Sequence, residues 1–224
     1  MIAAMSSEAA PPQLTYDETF TPYGLGLRIL SVRGTSVVHV AYSSDKTVHV
    51  FHVRQTDGQN TVQLVDAASG QQYTAELPFW SPAWLAPQAP PTPADQTTVI
   101  SATREKMLAD LISANGSPYA PVFAGVENLN GFLVYHLRLS SQDAGVHPLS
   151  DVYLDERSYL VRRAIGDFRD TSVTTVTGDV VLDFGNVGRF WLVTAGRIDA
   201  TVHAYFLTRS GSATFAASRI VAGR

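Results

Sequence analysis

DVYLDERSYLVRR, residues 151–163, decides between two readings of the chain. Asp151, Asp155 and Glu156 stand close together, and Arg157, Arg162 and Arg163 follow, as acids and counter-charges would around a catalytic centre. The same residues also spell a hairpin. Val152, Leu154, Leu160 and Arg162 alternate with Tyr153, Tyr159 and Val161, and Asp155-Glu156-Arg157-Ser158 between the two runs is ordinary β-turn chemistry. A turn sets these charges at a sheet rim, in water. Catalytic carboxylates instead need a cleft and opposed placement across a substrate. The hairpin is therefore the reading carried outward.

The segments around it have the same character. Downstream lie TSVTTVTGDVVLDF (171–184), RFWLVTAG (189–196), IDATVHAYFLT (198–208) and ATFAASRIV (213–221). Upstream lie PVFAGVENL (121–129), GFLVYHLRLS (131–140) and LSDVYLD (149–155). Their spacing of roughly 8–12 residues is the rhythm of an antiparallel meander. Nearer the start, LGLRILSVR (25–33), SVVHVAYS (36–43), TVHVFHVRQ (47–55), NTVQLVDA (60–67) and QYTAEL (72–77) also read as strands, with a hairpin joining 36–43 to 47–55. Residues 1–24, rich in Ala, Pro and Ser, read as a flexible arm preceding a single β domain over 25–224.

Two segments break the pattern. PFWSPAWLAPQAPPTPADQ (78–96) holds half of the twelve prolines and two of the three tryptophans, which forbids a central strand. It reads as a surface loop pinned by its aromatics, or as a flap over a pocket mouth. SATREKMLADLISANG (101–116) reads as one short helix, with Met107, Leu108, Leu111 and Ile112 on one face, Ser101 or Thr103 as cap and Gly116 as stop.

Alternation within the strands predicts a sheet with unlike faces. Ile198, Ala200, Val202, Ala204 and Phe206 oppose Asp199, Thr201, His203 and Tyr205, and Val180, Leu182 and Phe184 oppose Asp179, Val181 and Asp183. A single short helix cannot cover the apolar face of so wide a sheet. The expected fold is mainly β: one curled antiparallel sheet, a half-barrel of about 10–11 strands, with one helix and the Pro-rich loop as lid.

Composition narrows the functions. The chain has 224 residues, 45% of them hydrophobic, and a formal net charge of −4, with no basic face for nucleic acid. The absence of cysteine excludes disulfides, thiolate metal sites and a cysteine nucleophile. No stretch approaches the roughly 20 apolar residues of a bilayer-spanning helix. The opening MIAAMSSEAAPPQ shows neither the basic nor the apolar region of an export leader. GLGLRI (24–29) lacks the third glycine of a dinucleotide fingerprint, and there is no G-x-S-x-G elbow and no P-loop. Among the histidines, His39 and His52 share a face by hairpin parity while His49 takes the other, which leaves a poor zinc site. No cofactor and no metal are expected.

The hairpin YLDERSYLVRR and the later run GDVVLDFGNVGRFWLVTAGRIDATV resemble the LolA/LolB-like outer-membrane lipoprotein-sorting proteins, with Asp183, Phe184, Gly188 and Trp191 at the positions of that family's following hairpin. The resemblance covers about residues 121–221. It implies a LolA-like β domain with a helical lid and an apolar cavity for acyl chains, outside the cytoplasm. The expected function is a non-enzymatic periplasmic or otherwise extracytoplasmic carrier of an apolar acyl ligand or lipoprotein, monomeric and peripheral to the envelope. Its apolar lining would be Trp80, Trp84, Met107, Leu111, Phe132, Val134, Leu182, Phe184, Trp191, Val202 and Phe206. The competing readings are a protein-interaction β-domain with no small ligand and a hydrolase built on Asp151, Asp155, Glu156, His39 and His52.

Overall fold

The structure, a computed structural model, describes residues 13–24, 36–43, 48–55, 103, 106–111, 118–171, 175–204 and 207–222. Among the described residues ten strands form one antiparallel sheet: β1 (Gln13–Gly24), β2 (Ser36–Ser43), β3 (Val48–Gln55), β4 (Tyr119–Leu129), β5 (Phe132–Ser141), β6 (Leu149–Asp155), β7 (Val161–Asp170), β8 (Thr175–Val187), β9 (Phe190–Ala204) and β10 (Leu207–Ala222). Their order is β3-β2-β1-β10-β9-β8-β7-β6-β5-β4. The sheet is an open half-barrel: among the described residues β3 and β4 are its edges. The meander read between residues 121 and 221 is observed strand for strand. The exception is that 189–196 and 198–208 are largely one strand, β9. Gly196 continues that strand because a bare backbone is needed there: an added Cβ would fall 2.3 Å from the Phe215 ring.

The arm expected over residues 1–24 is corrected for its second half. Gln13–Gly24 is β1, paired with β2 on one side and β10 on the other. Its Thr-rich alternation, QLTYDETFTPYG, suits a pleated strand. Pro22 is tolerated because the β1–β2 ladder ends at Phe20↔Ser36, so residue 22 lies beyond it. The sheet therefore starts before residue 25. The strands read at 25–33, 60–67 and 72–77 and the Pro-rich loop 78–96 lie outside the described residues.

Turns set the register. Leu129 pairs with Phe132 across Asn130 and Gly131, whose φ values are 53° and 88°. Two positive φ values in a two-residue loop make a type I′ turn, which Asn-Gly adopts at least cost. Gly131 N also donates to Asn128 Oδ1 at 2.9 Å.

One register row runs from β4 to β1: Phe123↔Leu137↔Val152↔Ala164↔Leu182↔Gly196↔Phe215↔Phe20. Val152, Ala164 and Leu182 in this row are fully buried. They belong to the core, which also takes Val180, Ile198, Ala200 and Val202 from the same face. Thr103 and residues 106–111 are helical. Met107, Leu108 and Leu111 of this helix are buried in that core. Burial of each such side chain stabilises by about 1.5–3 kcal/mol. The helix comes close to β7 because residue 166 is glycine: a Cβ there would lie 2.5 Å from Met107 Sδ. Thr103 is inside the helix rather than capping it, and Ile112 to Gly116 lie outside the described residues.

Candidate functional site

The apolar face is the first candidate. Along the register row, burial is complete at Val152 and falls to 60% exposure at Phe123. The neighbouring row behaves alike: Val126↔Tyr135↔Leu154↔Val161 passes from an exposed valine on β4 to a fully buried one on β7. Among the described residues the core thus runs out uncovered onto the edge strand. Three rings line this margin. Phe123 meets Tyr135 edge-on at 6.2 Å, and Tyr135 stacks with Tyr159 at 6.1 Å. Tyr159 reaches this place at φ 58°, a conformation bulky residues rarely adopt.

The helix is tied down at one end of this face. Tyr119 donates its hydroxyl proton to Asp110 Oδ2 at 2.5 Å and accepts from Leu149 N at 3.0 Å. His147 Nδ1 lies 3.1 Å from Asp110 Oδ1, and Lys106 Nζ donates to Gly145 O at 2.5 Å. Burial, with the Asp110 carboxylate, pushes the Tyr119 phenol above its usual range. These bonds satisfy polar groups that the helix would otherwise bury unpaired.

The charged hairpin is the second candidate. Residues 156–158 form the expected turn, but Asp155 is buried rather than in water. Its Oδ1 accepts from Arg157 N, Ser158 N and Ser158 Oγ, and its Oδ2 accepts from Arg162 Nε and Nη2 at 3.0 and 2.8 Å. Burial pushes this carboxyl up, but the bonds from Ser158 N, Arg162, Arg157 N and Ser158 Oγ outweigh it and hold it at about 2. The simple alternation read for 159–163 fails at a β-bulge. Val161 pairs with Leu154 and Arg163 with Tyr153, so Arg162 is an inserted residue. The bulge turns Arg162 against two rings, 3.7 Å from the Phe132 centroid and 4.6 Å from that of Trp191. Trp191 Nε1 donates to Val161 O at 2.8 Å.

Asp151, Asp155 and Glu156 do not converge. Asp151 Oδ1 bonds His136 Nε2 at 2.7 Å, while His136 Nδ1 bonds Glu127 Oε1 at 2.7 Å. The buried imidazole stacks on Tyr153 at 4.3 Å. On this polar face Arg163 pairs with Asp183 through two bonds. Asp167, Asp179 and Asp199 sit directly opposite one another on three strands. Burial, then Asp167 and Asp199, push the Asp179 carboxyl up. Asp151 and Asp155 are therefore bound in separate pairs, to His136 and to Arg162.

The expected lining residues divide into three groups. Met107, Leu111, Val134, Leu182 and Val202 are fully buried or nearly so, and Phe184 is buried. Of these, Met107, Leu111, Leu182, Val202 and Phe184 belong to the core cluster itself. Phe132 and Trp191 hold Arg162 rather than an open apolar wall. Trp80, Trp84 and Phe206 lie outside the described residues. The margin residues Phe123, Val126, Tyr135 and Tyr159 were not among those expected. Ala-Gly at 124–125, where the β4–β5 register shifts, masks the alternation of β4. For the early histidines, His39 pairs with His52 as expected, but the register shift between His39 and Val40 sets His49 opposite Ala41, in the parity of His39 rather than the other. Among the described residues no group of three His, Cys, Asp or Glu could hold a metal ion, and no helix is long and apolar enough to cross a membrane.

No protein-family model matches the chain, and no curated protein matches it. Among solved structures the chain is similar to a DUF1329 family protein from Desulfovibrio piger, with 13% identity, 99% of this chain and 90% of that one covered, and a TM-score of 0.45. It is similar to a LolA superfamily protein from Nitrosomonas europaea at 11% identity, with 100% and 92% covered and a TM-score of 0.35. It is also similar to a domain assigned to outer membrane lipoprotein sorting from Vibrio parahaemolyticus at 13% identity, with 94% and 84% covered and a TM-score of 0.37. The functional reading rests on the sheet itself.

Proposed function

We propose that the protein is a non-enzymatic, extracytoplasmic binding protein or carrier for an apolar ligand of the acyl-chain class, free or attached to a lipoprotein. The observation that supports this is the uncovered margin of the apolar face. Phe123, Val126, Tyr135 and Tyr159 continue the buried core outward without a change of chemistry. An acyl chain laid along this margin would bury apolar surface at about 25 cal/mol per Å². The three rings would supply flat contact surface along it. The likeness to LolA superfamily and lipoprotein-sorting structures is in keeping with this reading but does not carry it. The carboxylate hairpin, with Asp155 fully engaged by its own turn and by Arg162, favours a structural role for the residues that most resemble an active site.

A titration with a fluorescent polyene fatty acid tests the proposal. Saturable binding to the wild-type chain, weakened at least about tenfold by Phe123→Asp or Val126→Asp at unchanged fold, is the expected result. Equal binding by wild type and both variants removes the margin as the site.

A further inference from the structure

Three turns meet at one end of the sheet, and their composition is unusual for turns. The β4–β5 turn carries Phe132 and Leu133 beside Asn130-Gly131, the β6–β7 turn carries Arg157 and Tyr159, and the β8–β9 turn carries Arg189 beside Gly188. The first two are joined directly, because Glu156 N donates to Leu133 O at 3.1 Å. The third is brought near by Trp191, which shares the Arg162 guanidinium with Phe132. Leu133 is 51% exposed and Tyr159 52% exposed, and Phe132 is also exposed. Arg157 and Arg189 are exposed at the same end.

We infer that this end of the sheet docks onto an anionic lipid bilayer, with Leu133 and Tyr159 entering the headgroup boundary and Arg157 and Arg189 lying on the phosphates. Two arguments select a bilayer over a protein partner. The first is charge. The chain carries a formal net charge of −4, yet Arg157 and Arg189 face outward at these tips against one carboxylate of the same turns, Glu156. That local excess matches an anionic surface and opposes the rest of the molecule. The second is geometry. Leu133, at the start of β5 just past the Asn130-Gly131 turn, and Tyr159 of the β6–β7 turn are both about half exposed, and side chains so placed enter a soft interface to a shallow depth, where a tyrosine ring keeps its hydroxyl in water. The exposed tyrosine is held rigidly. It sits at φ 58°, its N donates to Asp155 O at 2.9 Å and its ring stacks on Tyr135. An interface residue fixed in this way loses little further freedom on docking. Tyr159 also belongs to the apolar margin, but Leu133, Arg157 and Arg189 do not, and docking needs no acyl ligand there.

Vesicle co-sedimentation of the full chain tests it, with vesicles of phosphatidylcholine alone and vesicles containing phosphatidylglycerol. Each unopposed positive charge at an anionic surface strengthens binding about fivefold, and Glu156 offsets one of the two arginines, so the anionic vesicles are expected to bind roughly fivefold more tightly. Leu133→Asp and Tyr159→Asn are expected to abolish this binding. Asn accepts a positive φ, so the second variant keeps the turn. Val122→Ser, which removes an exposed apolar side chain of β4 that belongs neither to the turns nor to the apolar margin, is expected to bind vesicles as the wild type does. Circular dichroism checks that all three remain folded. Failure of the wild-type chain to sediment with anionic vesicles overturns the inference. So does vesicle binding that survives in folded Leu133→Asp and Tyr159→Asn. A chain that binds fatty acid but no vesicle would leave the carrier reading standing and remove this one.

Discussion

Arg162 donates from both Nε and Nη2 to Asp155 Oδ2 while its guanidinium lies 3.7 Å from the Phe132 ring centroid. The pair ties the start of β7 to the end of β6 and, through Phe132 and Trp191, to the β4–β5 and β8–β9 hairpins. A lysine keeps the charge but loses the second donor and the flat stacking surface. Arg162→Lys is expected to lower unfolding stability by about 1–2 kcal/mol, and Arg162→Met by about 3 kcal/mol because it strands a buried carboxylate. Chemical denaturation of the two variants measures both losses.

Asp155 gives this pair a pH signature. Its folded-state carboxyl is held at about 2, against an ordinary value of 3.8. The stabilisation is therefore complete above pH 3.8 and is lost as pH falls from there through 2. The difference corresponds to about 2 kcal/mol. Asp155→Asn is expected to lose stability at pH 7 and to flatten the stability profile between pH 4 and 2. Unfolding curves at a series of acid pH values show whether it does.

The aspartate row acts in the opposite direction. Asp179 stands between Asp167 and Asp199 on neighbouring strands, and its carboxyl is pushed up. A carboxyl raised in the fold costs stability while ionised and releases that cost as pH falls through its folded value. Asp179→Asn is expected to stabilise the chain at pH 7 by up to about 1 kcal/mol, the scale of a like-charge cross-strand pair. The gain disappears in acid, where the wild-type carboxyl is already neutral. Thermal melts at pH 7 and pH 3 give the comparison.

Gly166 and Met107 test how the helix is seated. The Cβ of Gly166→Val would fall inside the Met107 side chain, as the 2.5 Å approach to Sδ shows. Overpacking of this kind costs about 1–3 kcal/mol. Met107→Ala in the same chain should return part of the loss, so the double variant is more stable than the sum of the singles predicts. A purely additive result would mean that the helix does not rest on residue 166.

Much of this architecture is legible from residues 121–221, because strand alternation and turn residues there agree. LSDVYLD and GFLVYHLRLS name their strands nearly to the residue. Legibility fails where a single residue is inserted. Arg162 and the shift near Gly125 each reverse the parity on which facing was judged, and a bulge has no signature in period-2 alternation. It fails again in β1, where Pro22 and the Ala-rich residues before Gln13 obscure a Thr-rich strand whose partners lie as far away in sequence as Ala222. The candidate site is harder still to read. Buried Met107, Leu111 and Leu182 share their residue types with any lining wall. Only the fall in burial towards β4 separates core from margin, and that is a property of the assembled sheet.

The apolar margin carries the central claim, and native mass spectrometry of the purified chain tests it most directly, followed by organic extraction of whatever accompanies it. The account predicts added mass in the range of a fatty acid or phospholipid, released by the solvent and reduced in Phe123→Asp. A clean apo mass, with no thermal stabilisation by added acyl ligands, would contradict it and favour a protein-interaction domain.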